Sequence, residues 1–187
     1  MSQITYSSIP IWARPAAPVD EALPEISGSA YIVVGVGEAA EERVYQVANG
    51  LPENVTRLPL TFDDVEHAAS ALRGELAHAR VGVRVVIIAP RGAALALRGV
   101  ATTAGLMDDE IYVTVAGVDA IEVFCSHCEA ITHTELGVDD IVDCVGCGRH
   151  LLIYHHVSRR SGRYLGFMVD AETASAAQES TTEGSSS

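Results

Sequence analysis

The chain has 187 residues, of which 48% are hydrophobic and 20% charged, enough for one ordinary folded domain with a small appendage and too apolar for a disordered polymer. Twenty-five acidic residues stand against 12 basic ones, all arginine, and the net charge of −13 argues against nucleic acid or an anionic membrane as the main partner. No apolar run reaches the roughly 18 residues needed to span a bilayer, and residues 1–15 lack a basic segment followed by an apolar one, so a cytoplasmic protein is expected. In that compartment four cysteines are more naturally metal ligands or redox groups than disulfides.

Residues 1–30 read as an extended arm. Four of the seven prolines (Pro10, Pro15, Pro18, Pro24) and the single tryptophan, Trp12, sit there, and proline's fixed φ and missing donor oppose regular structure. An arm carrying Ile9, Ile11 and Trp12 should pack, either on its own domain or on another subunit. Residues 31–34 are a short apolar run ending at Gly35, a buried strand. Residues 38–49 follow as a helix stopped by Gly50 and Pro52, and 55–60 as a second strand. Thr61 to Asp64 reads as a helix cap, after which Val65, Ala69, Leu72, Leu76 and Ala79 recur at helical spacing. Residues 84–89 are a continuous β-branched strand closed by Pro90. A helix over 93–106 and a strand over 111–115 complete a β-α-β-α-β-α-β order. That order predicts a parallel sheet with right-handed crossovers over residues 31–118. Residues 119–169 change character, with short strands around two cysteine pairs. The small, polar, acidic stretch 170–187 is expected to be a disordered tail.

Cys125-Ser-His-Cys128 and Cys144-Val-Gly-Cys147 are separated by fifteen residues. This is the C-x2-C-x15-C-x2-C spacing of a four-cysteine zinc site. Each pair on a tight turn aims two thiolates to one side, and two such turns complete a tetrahedron. Gly146 and Gly148 supply backbone freedom. A unit of about 40 residues buries little core, and structural zinc contributes roughly 10–16 kcal/mol in such units. A rubredoxin-like iron site and a redox dithiol compete with zinc. Glu129 stands where a rubredoxin-type loop would have glycine, which weighs against iron. Four ligands leave no open position, so catalytic zinc is not expected. His127 and His133 lie close by as spare ligands or, more simply, as surface groups.

Gly35-Val-Gly37-Glu-Ala-Ala40 lies between strand and helix, where a dinucleotide fingerprint of the form GxGxxA would sit. The acid expected about 20 residues on is replaced by Arg57, and Glu38 puts negative charge where a pyrophosphate would bind. A plain strand-to-helix turn is the simpler reading. Further on, four of the 12 arginines fall between Arg149 and Arg163, among His150, His155 and His156. Tyr154, His155, His156, Arg159, Arg160 and Arg163, with Trp12, form a candidate partner interface. A solvated face or a site for an anionic small ligand are the alternatives.

Residues 124–168 resemble the C-terminal domain of the DmmA-like family of dimethylamine monooxygenase subunits. The two cysteine pairs, the YHHVSRR run at 154–160 and the closing YLGFM at 164–168 carry the likeness. Residues 85–113 resemble the last βαβ unit of a ferredoxin-reductase-type nicotinamide domain, with Ala89-Pro90-Arg91-Gly92 in place of the usual Cys-Gly-Pro. The resemblance implies a degenerate, non-binding relative of that domain. It also implies a multi-subunit oxidative N-demethylase that uses NADPH and dioxygen to turn dimethylamine into methylamine and formaldehyde. Haem would belong to one partner subunit, and flavin and a 2Fe–2S cluster to a reductase partner. This chain would be the metal-bearing, non-catalytic subunit, with Cys125, Cys128, Cys144 and Cys147 as zinc ligands. The fold expected is therefore a small Rossmann-like parallel sheet followed by a zinc-ribbon or rubredoxin-like β domain. An iron electron carrier between reductase and haem, and a standalone NAD(P)-binding protein, are the competing functions.

Overall fold

The computed structural model describes residues 8–14, 27–117 and 119–169. Four strands, β1 (Ala30–Val36), β2 (Thr56–Phe62), β3 (Val83–Ala89) and β4 (Ile111–Val115), alternate with helices α1 (Glu38–Gly50), α2 (Val65–His78) and α3 (Arg91–Thr103). The strands pair in parallel in the order β2-β1-β3-β4. A chain that winds one way from β1 and then the other from β2 puts its helices on opposite faces. Val33, Val86 and Ile88 accordingly meet Ala40, Val44 and Ala48 of α1. Ile32, Val34, Val85 and Ile87 point the other way, onto Leu72 and Leu76 of α2 and Ala94, Leu97 and Ala101 of α3. Both faces are covered, which is why β1 and β3 are apolar without alternation.

Five further strands form a second, mixed sheet: β5 (Ile121–Cys125), β6 (Ile131–Thr134), β7 (Ile141–Asp143), β8 (His150–Val157) and β9 (Tyr164–Met168). Their order is β6-β5-β9-β8-β7, with β5 and β9 parallel and the other neighbours antiparallel. One face buries Ile121, Val123, Leu151, Ile153, Val157 and Tyr164 against Leu95 of α3 and against Ile9 and Ala13.

Helix α3 thus serves both sheets, and glycines let it do so. A Cβ on Gly99 would lie 2.5 Å from the Arg160 carbonyl oxygen. Gly162, at φ 73°, sits against the Leu95 carbonyl, where a Cβ would come within 2.4 Å. The first turn of α3 is closed by Asp119, whose Oδ1 accepts from the Gly92 amide at 2.7 Å and whose Oδ2 accepts from Ala93 at 2.9 Å. That carboxylate satisfies two of the orphan donors of a helix start and suits its dipole.

Several element ends differ from the sequence expectation. β2 continues through Thr61 and Phe62, which local signals assign to the helix cap, because they pair with Gly35 and Val36. Asp64 alone caps α2, accepting from the His67 amide at 2.9 Å. α3 starts at Arg91 rather than 93, held by the distant Asp119, and stops before Gly105 at φ 103°. The described part of the N-terminal arm packs on its own chain. Ile11–Ala13 make one 3-10 turn, Trp12 touches both cores, and the Ser8 hydroxyl accepts from the Val157 amide at 3.0 Å. The rest of the expected arm, including Pro15, Pro18 and Pro24, and the expected tail 170–187 lie outside the described residues. No helix among the described residues is long and apolar enough to cross a membrane.

Candidate metal centre

Two turns that differ in sequence have the same backbone. After β5, the Glu129 amide donates to the Cys125 carbonyl at 2.9 Å and the Cys125 amide to Ala130 at 3.0 Å. After β7, the Gly148 amide donates to Cys144 at 2.9 Å and the Cys144 amide to Arg149 at 2.9 Å. Each turn ends in a left-handed residue, Glu129 at φ 63° and Gly148 at φ 68°. The expectation that Glu129 separates this site from a rubredoxin-type loop therefore fails on geometry, because glutamate adopts the conformation that glycine would. Gly146 is required for a different reason. A Cβ there would lie 2.6 Å from Ala130 Cβ and 3.0 Å from Cys128 Sγ, so the turns could not approach. Thr132, buried on β6, ties them further by accepting from the Val145 amide at 3.2 Å.

The sulfurs of Cys125, Cys128, Cys144 and Cys147 all lie within 4.8 Å of one another. Cys125 and Cys147 are 3.8 Å apart, and Cys128 and Cys144 3.5 Å. A tetrahedral ion about 2.3 Å from each sulfur holds the sulfurs about 3.8 Å apart. The four cysteines are thus positioned to bind a metal ion, and they are free thiols rather than disulfides. His127 and His133 are exposed and stand outside the cluster.

The thiols do not ionise alike. Burial opposes a charge on Cys144. Amide bonds from Cys147 and Gly146 and hydrogen bonds from the thiols of Cys128 and Cys147 outweigh it, bringing Cys144 down to about 6. At Cys128 the Ala130 amide favours the thiolate. Burial and the hydrogen bonds to Cys144, Cys147 and Cys125 prevail, and this thiol is pushed up to about 12. The Cys144 sulfur favours the charged form and the Cys128 thiol keeps its proton, which a bound cation would displace.

The glycine turn reads as structure. A Cβ on Gly35 would lie 2.5 Å from Val44 Cγ2, so this glycine lets α1 pack against β1. Gly37, at φ 84°, turns the chain into α1, whose first turn carries Glu38 and Glu41. At the β3–α3 turn, the Asp119 carboxylate already occupies the helix amides to which a phosphate would bind.

The candidate interface residues separate. Arg159 and the buried Arg98 both donate to Asp108 at 2.6 Å, and Arg163 donates to Glu122 at 2.5 Å. These guanidiniums are thus paired with carboxylates of their own chain. Arg160 is exposed and has no carboxylate within ion-pair distance among the described residues. His155 is buried, its ring 4.0 Å from that of Tyr154, while Tyr154 and the exposed His156 face outward, His156 beside the Ser8 hydroxyl. Trp12 is half-buried against its own cores. Asp108 and Asp119 escaped the sequence reading because their partners lie 10 to 51 residues away and no local pattern marks them.

Comparison with known proteins adds two findings. The profile of the DmmA-like C-terminal domain, described as belonging to the dimethylamine monooxygenase subunit DmmA-like, matches residues 122–167. The heme-dependent oxidative N-demethylase delta subunit of Ectopseudomonas mendocina (strain ymp) is 32% identical over 148 residues, covering 78% of this chain and 83% of the relative. No solved structure matches significantly. The longer similarity cannot be confined to the cysteine-bearing sheet, so it reaches into the parallel sheet as well. On that similarity and on the matching cysteine-bearing domain, this chain belongs to the DmmA-like subunit family.

Proposed function

We propose that the chain is a zinc-stapled, non-catalytic subunit of a haem-dependent oxidative N-demethylase whose substrate is dimethylamine. The relative's name supports a haem-dependent assembly of subunits, and the family description supports the amine. The observation that carries the reading is the four-sulfur cluster in a chain of this family. Cys125, Cys128, Cys144 and Cys147 would hold the ion. Zinc so bound has no open position for substrate and acts by joining two turns that have little core of their own. We read residues 31–118 as a Rossmann-like unit related to ferredoxin-reductase nicotinamide domains, and 119–169 as a zinc ribbon. The acid-capped α3 is at odds with nucleotide binding at that turn. Catalysis then belongs to partners: a haem subunit, and a reductase carrying flavin and a 2Fe–2S cluster, all in the cytoplasm.

The test is affinity purification of the tagged chain from its own organism grown on dimethylamine, with a visible spectrum and metal analysis. Haem and flavin absorbance with about one zinc per chain is expected. A colourless zinc protein without partners overturns the subunit reading. A second reading, a rubredoxin-like iron carrier of single electrons from reductase to haem, draws on the equivalence of the two turns, since tetrahedral sulfur suits both metals. A red isolated chain containing iron would establish it. Tight nicotinamide binding by the isolated chain would restore the standalone NAD(P) reading.

A further inference from the structure

Between the N-terminal arm, α3 and the turn joining β8 to β9 lies a cavity of about 320 Å³. Arg14 of the arm, Arg98 of α3 and Arg159 of the turn line it, with Ile9 and Ile11 as an apolar wall. Three of the chain's 12 arginines thus meet in one place, although the chain carries −13 overall. Among the described residues, Asp108 is the one carboxylate on the lining, and its two oxygens are divided between Arg98 and Arg159, each at 2.6 Å. Of its acidic neighbours, Glu110 is taken by Arg84 at 2.8 Å and Asp109 does not border the space. Arg14 donates from Nε to the Ile9 carbonyl at 3.2 Å, which ties it to the same wall.

Arg98 is buried in the middle of α3, a helix whose other buried residues are alanine, leucine and glycine. An aliphatic side chain would fill that place without the cost of desolvating a charge. Its Nη2 meets Asp108, and none of its other nitrogens is both enclosed and unbonded, so they open on the cavity it lines. A guanidinium has five N–H donors, and Arg98 and Arg159 each give Asp108 one. Two cations on one carboxylate keep a net positive charge, in a partly enclosed place where charge acts more strongly than in water. Guanidiniums arriving from three segments suit an acceptor whose oxygens do not lie in one plane, as phosphate's do not and a carboxylate's do. The volume stands at the small end of ligand sites, which run from about 300 to 1,000 Å³. We infer that this cavity binds the phosphate group of a small phosphate ester, with the ester's apolar part against Ile11. The site lies within this chain and does not depend on the subunit reading.

The full-length, metal-bound chain is titrated calorimetrically with inorganic phosphate, phenyl phosphate and benzoate at one ionic strength set with sodium chloride, and its melting is followed in each. Both phosphates should bind and raise the melting temperature, phenyl phosphate more tightly, and benzoate about tenfold more weakly than phenyl phosphate. Arg159→Gln, at an exposed side chain, should weaken phenyl phosphate about tenfold. Arg160→Gln, beside it in the chain but off the cavity, should stay within about twofold of wild type. Asp108→Asn removes the carboxylate that competes for the same donors and should bind phenyl phosphate several-fold more tightly, a gain that a misfolded variant would not give. Phosphates that raise the melting temperature no more than chloride does overturn the site. So does Arg159→Gln that binds like wild type, and so does Asp108→Asn that melts like wild type yet binds no more tightly. Benzoate bound as tightly as phenyl phosphate overturns the assignment to phosphate.

Discussion

Gly99 lies in the middle of α3, where glycine ordinarily weakens a helix by about 1 kcal/mol relative to alanine. Intrinsic propensity therefore says that Gly99→Ala stabilises. The packing says the reverse. The new methyl would stand 2.5 Å from the Arg160 carbonyl oxygen and 3.1 Å from its carbon, and both are backbone atoms. That turn cannot yield cheaply. The Gly162 amide is bonded to Ser158 at 2.9 Å, Gly162 itself rests on the Leu95 carbonyl, and Arg159 is held by Asp108. Overpacking costs about 1–3 kcal/mol; two backbone atoms this close put Gly99 in the upper part of that range, about 2–3 kcal/mol, so after the propensity gain a net loss of about 1–2 kcal/mol remains. For a chain of this size that corresponds to a fall in Tm of roughly 2–8 °C. Gly74 supplies the control. It is an exposed glycine in α2, and a Cβ added there would meet nothing within 4 Å, so Gly74→Ala should add about 0.5–1 kcal/mol. Urea unfolding and thermal melts of the metal-bound chain measure both. A Gly99→Ala protein as stable as wild type, or more so, would refute the claim that α3 is pressed directly against the second sheet's turn.

Gly146→Ala should reduce bound metal sharply while leaving the parallel sheet folded, because its Cβ would push Ala130 and the Cys128 sulfur; metal analysis with circular dichroism checks both halves. Glu129→Gly should stabilise the metal-bound chain by about 0.5–1 kcal/mol, since only glycine takes a left-handed φ without strain; a lower melting temperature would count against this. At the start of α2, the amide and ring hydrogen bonds of His67 hold the Asp64 carboxyl below its ordinary 3.8. The same carboxylate raises His67 above 6.5. The Asp64 contribution is present above 3.8 and lost as pH falls through its lowered value. The His67 contribution is present below 6.5 and lost as pH rises through its raised value, so the cap is tightest between the two. NMR titration should find His67 above 6.5 in wild type and near 6.5 in Asp64→Asn, and equal midpoints would refute the pairing.

The local pattern of residues was enough for most of the first sheet and for the sulfur cluster. The run Val85 to Ile88 is four β-branched side chains in succession closed by Pro90, which favours a strand covered on both faces, and all four are buried. Two C-x2-C pairs imply thiolates gathered in one place because the chemistry of tetrahedral sulfur demands that spacing, whatever surrounds it. Strand and helix ends were less legible, as at Thr61 and Phe62, where pairing with β1 outweighed a local capping signal. What lies between the sheets was not legible at all. That Asp119 caps a helix begun 28 residues earlier, that Gly99 and Gly162 are contact points, and that Arg159 belongs to Asp108 depend on segments brought together only by folding. Nor does the sequence IEVFC at β5 say which of its two sides is covered, since both carry large apolar groups. Packing decided that Val123 faces α3 and the arm while Phe124 faces out. Composition and spacing determine local conformation and ligand chemistry because those energies are short-ranged; which surface is left for a partner is decided by what the rest of the chain has already buried.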